Sequence, residues 1–257
     1  MLFYLSLLLS FGNSFRFVEK DNTKHEGKRI INSIELNNTK FSESSLNLNV
    51  SSTLTIFNTT FDSFKGDDAD AAIIAIGEAL LTLYKCNFTR NSGTSNGGAI
   101  FVNTKGFTIT ECNFEGNECH DHSSSLTTLS RGGAIYAVQV STNHVIDSCI
   151  FKRNNAKTFG GSIFVEYSQH KTKGFDSSFI IKNCQFIEST CNLSGGAISS
   201  GFQISSAALA DGDMLIEKCN FTGCVAGEGG AIYFPTGTTD GDEQKYIIGC
   251  TFEGNSA

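Results

Sequence analysis

The chain has 257 residues, 40% hydrophobic and 18% charged, with a net charge of −7. That is apolar material enough for a sizeable core, which excludes a disordered segment. The acidic balance and the lack of a long Lys/Arg cluster exclude a nucleic-acid footprint. With 26 Gly, 22 Phe, one Pro (Pro235) and no Trp, the composition favours short strands with tight turns over long helices.

Leu2 to Phe11 is an apolar run. It is too short to cross a bilayer, which takes roughly 20 residues, and suits the core of a signal peptide. Small residues Gly12 and Ser14 precede Phe15, so residues 1–14 are expected to be a signal peptide cleaved there. The plainer alternative is an apolar segment capping the domain. No other segment is long and apolar enough to be transmembrane. A secreted or surface-displayed chain enters an oxidising compartment, where nine cysteines matter. Sequons at Asn37, Asn49, Asn58, Asn87, Asn192 and Asn220 would then be open to glycans.

Residues 15–80 read as degenerate coils and a cap. "TKFSES" (Thr39 to Ser44) and "LNLNV" (Leu46 to Val50) form a weak unit. "TTFDSF" (Thr59 to Phe64) with "DAAIIAI" (Asp70 to Ile76) forms a stronger one. Atypical terminal repeats are expected in a stacked array.

From residue 81 to 257 two phrases alternate. The first is C-x-F-x-x-N, beginning at Cys86, Cys112, Cys149, Cys184, Cys219 and Cys250. Its aromatics are Phe88, Phe114, Phe151, Phe186, Phe221 and Phe252; its asparagines are Asn91, Asn117, Asn154 and Asn255, with Ser189 and Cys224 replacing the other two. The second is G-G-A-I-aromatic or a close variant, at Gly97, Gly132, Gly160, Gly195 and Gly229. Three residues before each Cys stands Leu83 or an Ile. Five before it stands Leu81, Phe107, His144, Phe179, Met214 or Lys245, of which His144 and Lys245 break the apolar rule.

The h-x-h alternation is a half-buried strand, the x-x step a corner, and C-x-F a second strand with both side chains on one face. A unit of this size cannot bury its apolar face alone, whereas stacked copies can. The expected fold is all-β: a right-handed, single-stranded parallel β-helix of about seven coils, with Cys over Cys, Phe over Phe and Asn over Asn in interior ladders. At strand spacing this is a rod of roughly 34 Å. The paired Gly supplies positive φ or close backbone approach at a corner. The chain stops at "CTFEGNSA", where a spacer and GGAI would follow, so the array is expected to continue beyond residue 257.

The doublet of F-x-x-N and G-G-A-I resembles the repeat of the polymorphic outer-membrane proteins, the chlamydial autotransporter adhesins, and similar repeats in surface proteins of parasitic protists. The resemblance covers residue 81 to the end. It implies a β-helical passenger exposed on a cell surface and used in adhesion. No C-terminal membrane barrel is present, so membrane attachment would depend on sequence outside this chain.

Several residues could carry chemistry. The six repeated Cys read as small buried hydrophobes. Cys119, Cys191 and Cys224 lie off that ladder. Cys191 and Cys224 stand at similar distances before a GG pair on adjacent coils, so a Cys191–Cys224 disulfide is expected. "CHDH" (Cys119, His120, Asp121, His122) is the densest reactive cluster. It lies in the longest Cys-to-GG spacer, 20 residues against 10 or 11, and reads as a surface insertion. No C-x-x-C or H-x-x-x-H pair supports zinc. Acidic runs at Asp67, Asp68 and Asp70, at Asp176, at Asp211 to Asp213 and at Asp240 to Asp242 match neither calcium loop pattern and read as turns. A β-helix can also serve polysaccharide lyases and hydrolases, but the GGAI strands offer few ionisable groups besides Glu166, and the paired carboxylates such chemistry needs are not apparent. The expected function is a secreted or cell-surface adhesion or interaction module with no catalytic activity, cofactor or metal, binding a host or cell-surface protein or glycan. The alternative is a polysaccharide-active enzyme of the same fold.

Overall fold

The computed structural model describes residues 15–17, 33–37, 40–42, 46–49, 53–66, 71–120, 129–139, 144–167, 178–202, 213–235 and 245–257. The expected signal peptide, 1–14, lies outside them. Every regular element among the described residues is a strand, and none is a helix long and apolar enough to cross a membrane.

β1 (Phe15–Phe17) runs antiparallel to β2 (Ser33–Asn37), which with β3 (Lys40–Ser42) forms a half-coil. Seven coils follow. The first holds β4 (Leu46–Asn49), β5 (Thr53–Phe57) and β6 (Thr60–Asp62). The second holds β7 (Ile73–Tyr84), β8 (Asn87–Thr89) and β9 (Ser92–Gly93). The third holds β10 (Ile100–Thr110), β11 (Asn113–Glu115) and β12 (Glu118–Cys119). The fourth holds β13 (Ile135–Gln139), β14 (His144–Asp147), β15 (Ile150–Lys152) and β16 (Asn155–Ala156). The fifth holds β17 (Ile163–Tyr167), β18 (Ser178–Lys182), β19 (Gln185–Ile187) and β20 (Thr190–Cys191). The sixth holds β21 (Ile198–Phe202), β22 (Asp213–Glu217) and β23 (Asn220–Thr222). The last holds β24 (Ile232–Tyr233), β25 (Lys245–Ile248) and β26 (Thr251–Glu253).

From β2 onward each strand pairs in parallel with its counterpart one coil away, which makes a parallel β-helix. The C-x-F strands form an eight-stranded sheet from β3 to β26. The GGAI and h-x-h strands share a 14-stranded sheet, because β7 and β10 run through both positions unbroken. β9, β12, β16 and β20 form a short third sheet. β7 crosses the 80/81 boundary, so the degenerate coils and the regular repeats are one continuous stack.

The register explains the repeat. Phe61, Phe88, Phe114, Phe151, Phe186, Phe221 and Phe252 stack with ring centroids 4.7–4.9 Å apart and planes within 6°. This column, the h-x-h side chains and the Cys ladder fill one core. His144 fits there as an aromatic ring, edge-on to Phe107 and parallel to Phe179. Lys245, the other exception, sits on the last coil with Nζ 4.4 Å from the Tyr167 ring centre.

The asparagines bond from coil to coil. Asn117 Oδ1 accepts from both the backbone N–H and the amide of Asn91, at 3.1 and 2.9 Å. Asn154 does the same for Asn117. Each Asn amide also donates to a Phe carbonyl on the preceding coil. Such bonds satisfy buried N–H groups that would otherwise cost about 1–3 kcal/mol each. Where the motif departs from Asn, it compensates. Ser189 replaces Asn, Ser162 replaces the Ala of GGAI, and their hydroxyls bond each other at 2.7 Å. Cys224 takes the Asn position outright: its N–H donates to Asn255 Oδ1 at 2.9 Å, and its thiol faces the Phe186 carbonyl.

Two corners per coil use positive φ outside the GG pair. One residue precedes each Cys (Lys85, Glu111, Ser148, Asn183, Lys218, Gly249), and the other precedes the Asn position (Arg90, Gly116, Arg153, Glu188, Gly223, Gly254). The GG corner differs. Its first Gly has positive φ, and its second has no room for a side chain: a Cβ on Gly161 would lie 2.1 Å from the Gly196 carbonyl oxygen.

Candidate functional site

The GGAI strands turn Ile into the core and the next residue outward. In successive coils that outward column reads Phe101, Tyr136, Phe164, Ser199, Tyr233. The bridge position just before each GG pair forms a parallel column: Asn96, Arg131, Phe159, Ser194, Glu228. Where these columns meet, Arg131, Tyr136 and Glu166 come together. The Tyr136 hydroxyl donates to Glu166 Oε2, and Arg131 Nη1 lies 3.3 Å from that hydroxyl and 3.4 Å from that carboxylate oxygen. The guanidinium also lies over the rings of Tyr136 and Phe164, at 5.8 and 5.5 Å. Gly201 makes room for the Phe164 ring, since a Cβ there would come within 2.9 Å of it.

The Arg131 and Glu166 side chains are only 15% and 6% exposed. A pair this dry is held by geometry, since desolvation offsets most of its attraction. Burial pushes the Tyr136 phenol above its ordinary value, and the Glu166 carboxylate pushes it further. A raised folded pKa means that its contribution to stability is fully present below the unfolded value, about 10, and is lost as pH rises through the folded one. Tyr136→Phe is expected to lower stability by about 1–2 kcal/mol at pH 8 and to flatten the loss above pH 10. Urea midpoints at pH 8 and pH 11 check this; an unchanged alkaline slope contradicts it.

The arrangement provides one carboxylate. The neighbours of Glu166 in register are Val138 and Gly201, so neither adjacent rung carries a second. Among the described residues no three His, Cys, Asp or Glu side chains converge as metal ligands.

The breaks between the GGAI and h-x-h strands fall at one point of the coil. β7 and β10 pass from GGAI strand to h-x-h strand without interruption, with only an irregularity between Thr104 and Gly106. In the next coils the two strands are separate, and 140–143, 168–177, 203–212 and 236–244, all outside the described residues, fall between β13 and β14, β17 and β18, β21 and β22, and β24 and β25. The acidic residues Asp176, Asp211 and Asp240 to Asp242 fall in these segments, outside the described residues; Asp213 opens β22 and is exposed. Asp67, Asp68 and Asp70 also lie outside.

All nine cysteines are free thiols, and the expected Cys191–Cys224 bridge is not formed. Register is the reason. Cys191 belongs to the short third sheet and forms a separate buried cluster with Cys119, Ala156 and Ala226. Cys224 stands two residues earlier in its coil, in the Asn column of the main core. Burial holds Cys119 up to about 12 and Cys191 up to about 11, so both are unreactive. In the main ladder, burial pushes the Cys149 thiol well above its ordinary value. Cys119 ends β12 with its thiol buried, and His120, the next residue, has Nδ1 3.0 Å from Ser92 Oγ. Asp121 and His122 lie outside the described residues.

The sequons Asn58, Asn87, Asn192 and Asn220 present exposed side chains, Asn87 and Asn220 at equivalent outward positions of the C-x-F sheet. Asn37 and Asn49 end β2 and β4.

The fold and its ladders define a parallel β-helical repeat solenoid. The model of the Chlamydia polymorphic membrane protein repeat matches residues 85–103, which run from the Cys86 corner through the Asn91 ladder position to the GGAI strand. That stretch is therefore similar to the repeat of that family. Comparison with curated proteins gave no match. Comparison with solved structures gave none either.

Proposed function

We propose that the protein is a cell-surface binding module: a rigid β-helical rod displaying variable loops, without catalytic activity. The observation that supports this reading is that four coils in succession break between the GGAI strand and the h-x-h strand while the ladders on either side keep register. Loops on a rigid scaffold are where recognition concentrates. The matched repeat, described as that of a membrane protein, supports a place at the cell surface, and the expected signal peptide supports export. The ligand is a protein or glycan on a facing cell.

The second reading, a polysaccharide-active enzyme, is favoured by the dry Arg131–Tyr136–Glu166 cluster. A lone carboxylate already occupied by a tyrosine and an arginine is poorly placed for paired acid–base work. The test replaces 168–177 and 203–212 with short connectors and measures binding to immobilised glycans and to cells. The shortened protein should keep its melting transition and lose binding at least tenfold. Undiminished binding would remove the loops from the account, and release of reducing ends from any glycan would establish an enzyme.

A further inference from the structure

Display of loops makes no use of the sequons. In a C-x-F strand the Phe points inward, so the residues on either side of it point outward. Twice those residues are Asn and Thr: Asn87-Phe88-Thr89 and Asn220-Phe221-Thr222. Each of these strands is an acceptor motif with its Asn at the surface, its Thr on the same face and its middle residue locked in the core column.

The side-chain amides divide the asparagines into two sets. Asn91, Asn117 and Asn154 are buried, and each Nδ2 donates across the stack. None of the three begins a sequon. At Asn220 the side chain accepts instead: Oδ1 takes a hydrogen bond from Thr251 Oγ1 at 2.6 Å, which leaves Nδ2 to the surface. Asn87 likewise stands exposed, outside the Asn ladder. A sugar on either nitrogen therefore breaks no ladder bond.

Position gives such a modification a consequence. Asn87 and Asn220 stand in one outward column, four rungs and about 19 Å apart. Asn58, at the corner leading into the C-x-F sheet, and Asn192, just past the third sheet, are exposed as well. Beyond Asn49 no sequon falls on a GGAI strand, on an h-x-h strand or between the two.

We propose that Asn87 and Asn220 carry N-linked glycans, and that these cover the C-x-F side of the rod so that a ligand meets the GGAI and h-x-h side. The second half rests on the binding reading above. The donor is an oligosaccharide on a lipid pyrophosphate, which an exported chain meets in the secretory compartment. The Nδ2–C1 bond forms, the C1–O bond to pyrophosphate breaks, the lipid pyrophosphate leaves and one amide proton is released. Nothing is oxidised or reduced.

The test secretes the full chain from a eukaryotic host and removes its glycans with a peptide N-glycosidase in heavy-oxygen water, which leaves heavy Asp at each modified Asn. Mass mapping should find that mark at 87 and 220. Asn87→Gln and Asn220→Gln should each remove one glycan, keep the melting transition and leave binding to cells and immobilised glycans unchanged. Thr108→Asn makes an Asn-Ile-Thr sequon on the outward face of an h-x-h strand, and Asp213→Asn with Leu215→Thr makes another. A glycan at either should lower binding roughly tenfold or more. Unmodified Asn87 and Asn220 in the folded, secreted chain would overturn the proposal, as would full binding with a glycan mapped at 108 or 213. Glycans at 87 and 220 on a chain that binds nothing would bear out the modification and remove the binding reading instead.

Discussion

Gly161→Ala is expected to prevent folding or to cost about 4 kcal/mol or more, the range of exceptional single substitutions. The added Cβ would lie 2.1 Å from the Gly196 carbonyl oxygen, 2.5 Å from that of Thr190 and 2.6 Å from the Thr190 nitrogen. All three are backbone atoms of the stack, so no rotamer change relieves the clash. The adjoining N–H groups hold the same coils together: Gly161 donates to Gly195 and Ser162 to Ala197. Parting the coils to admit a methyl group breaks that ladder. Gly116→Ala is the control. Gly116 has φ +62°, but its nearest neighbour would be the Arg90 Cγ at 3.8 Å, so only the left-handed strain of about 1–2 kcal/mol applies. Urea unfolding of both separates close approach from backbone conformation. A Gly161→Ala protein within about 1 kcal/mol of the parent would mean that the coils are not stacked this closely.

Phe151→Ala is expected to cost about 3–5 kcal/mol for transfer and cavity. Phe151 is fully buried, with Phe114 and Phe186 stacked on its two faces at 4.7 and 4.8 Å, and loss of those ring contacts adds about 0.5–1.5 kcal/mol each. Phe252 occupies the same column on the last coil and is 50% exposed. Phe252→Ala should therefore cost less than half as much. Equal costs at the two positions would contradict the column.

The strands, the ladders and the stacking order were legible because the template repeats with chemically specific letters. Cys, Phe and Asn each mark one interior column, and even "TTFDSF" could be placed, since Phe61 stacks beneath Phe88. The corners were less legible. The residue before each Cys is Lys, Glu, Ser, Asn, Lys or Gly, yet all six adopt positive φ. The flanking ladders impose that conformation, and nothing in those side chains announces it. The Cys191–Cys224 pairing failed because distance to the GG pair is a poor guide to register. The better anchor is the preceding Phe, which places Cys224 at the Asn step and Cys191 two residues beyond it. Glu166 was visible as an unusual ionisable residue on a GGAI strand, but its partners were not. Extending the template one residue before each GG pair would have aligned Arg131 with Asn96 and Phe159 and brought it beside Tyr136.

The central claim is that distance along the rod counts coils rather than residues. Spin labels at outward positions of the C-x-F sheet test it. Asn87 and Asn220 are four rungs apart, Asn87 and Thr251 five, and Thr60 and Thr251 six. Electron–electron dipolar distances should rise in equal steps, to about 19, 24 and 29 Å at one strand spacing per rung. Distances that fail to rise by about 5 Å with each added rung would contradict the parallel β-helix, and with it the rigid scaffold on which the loops are proposed to act.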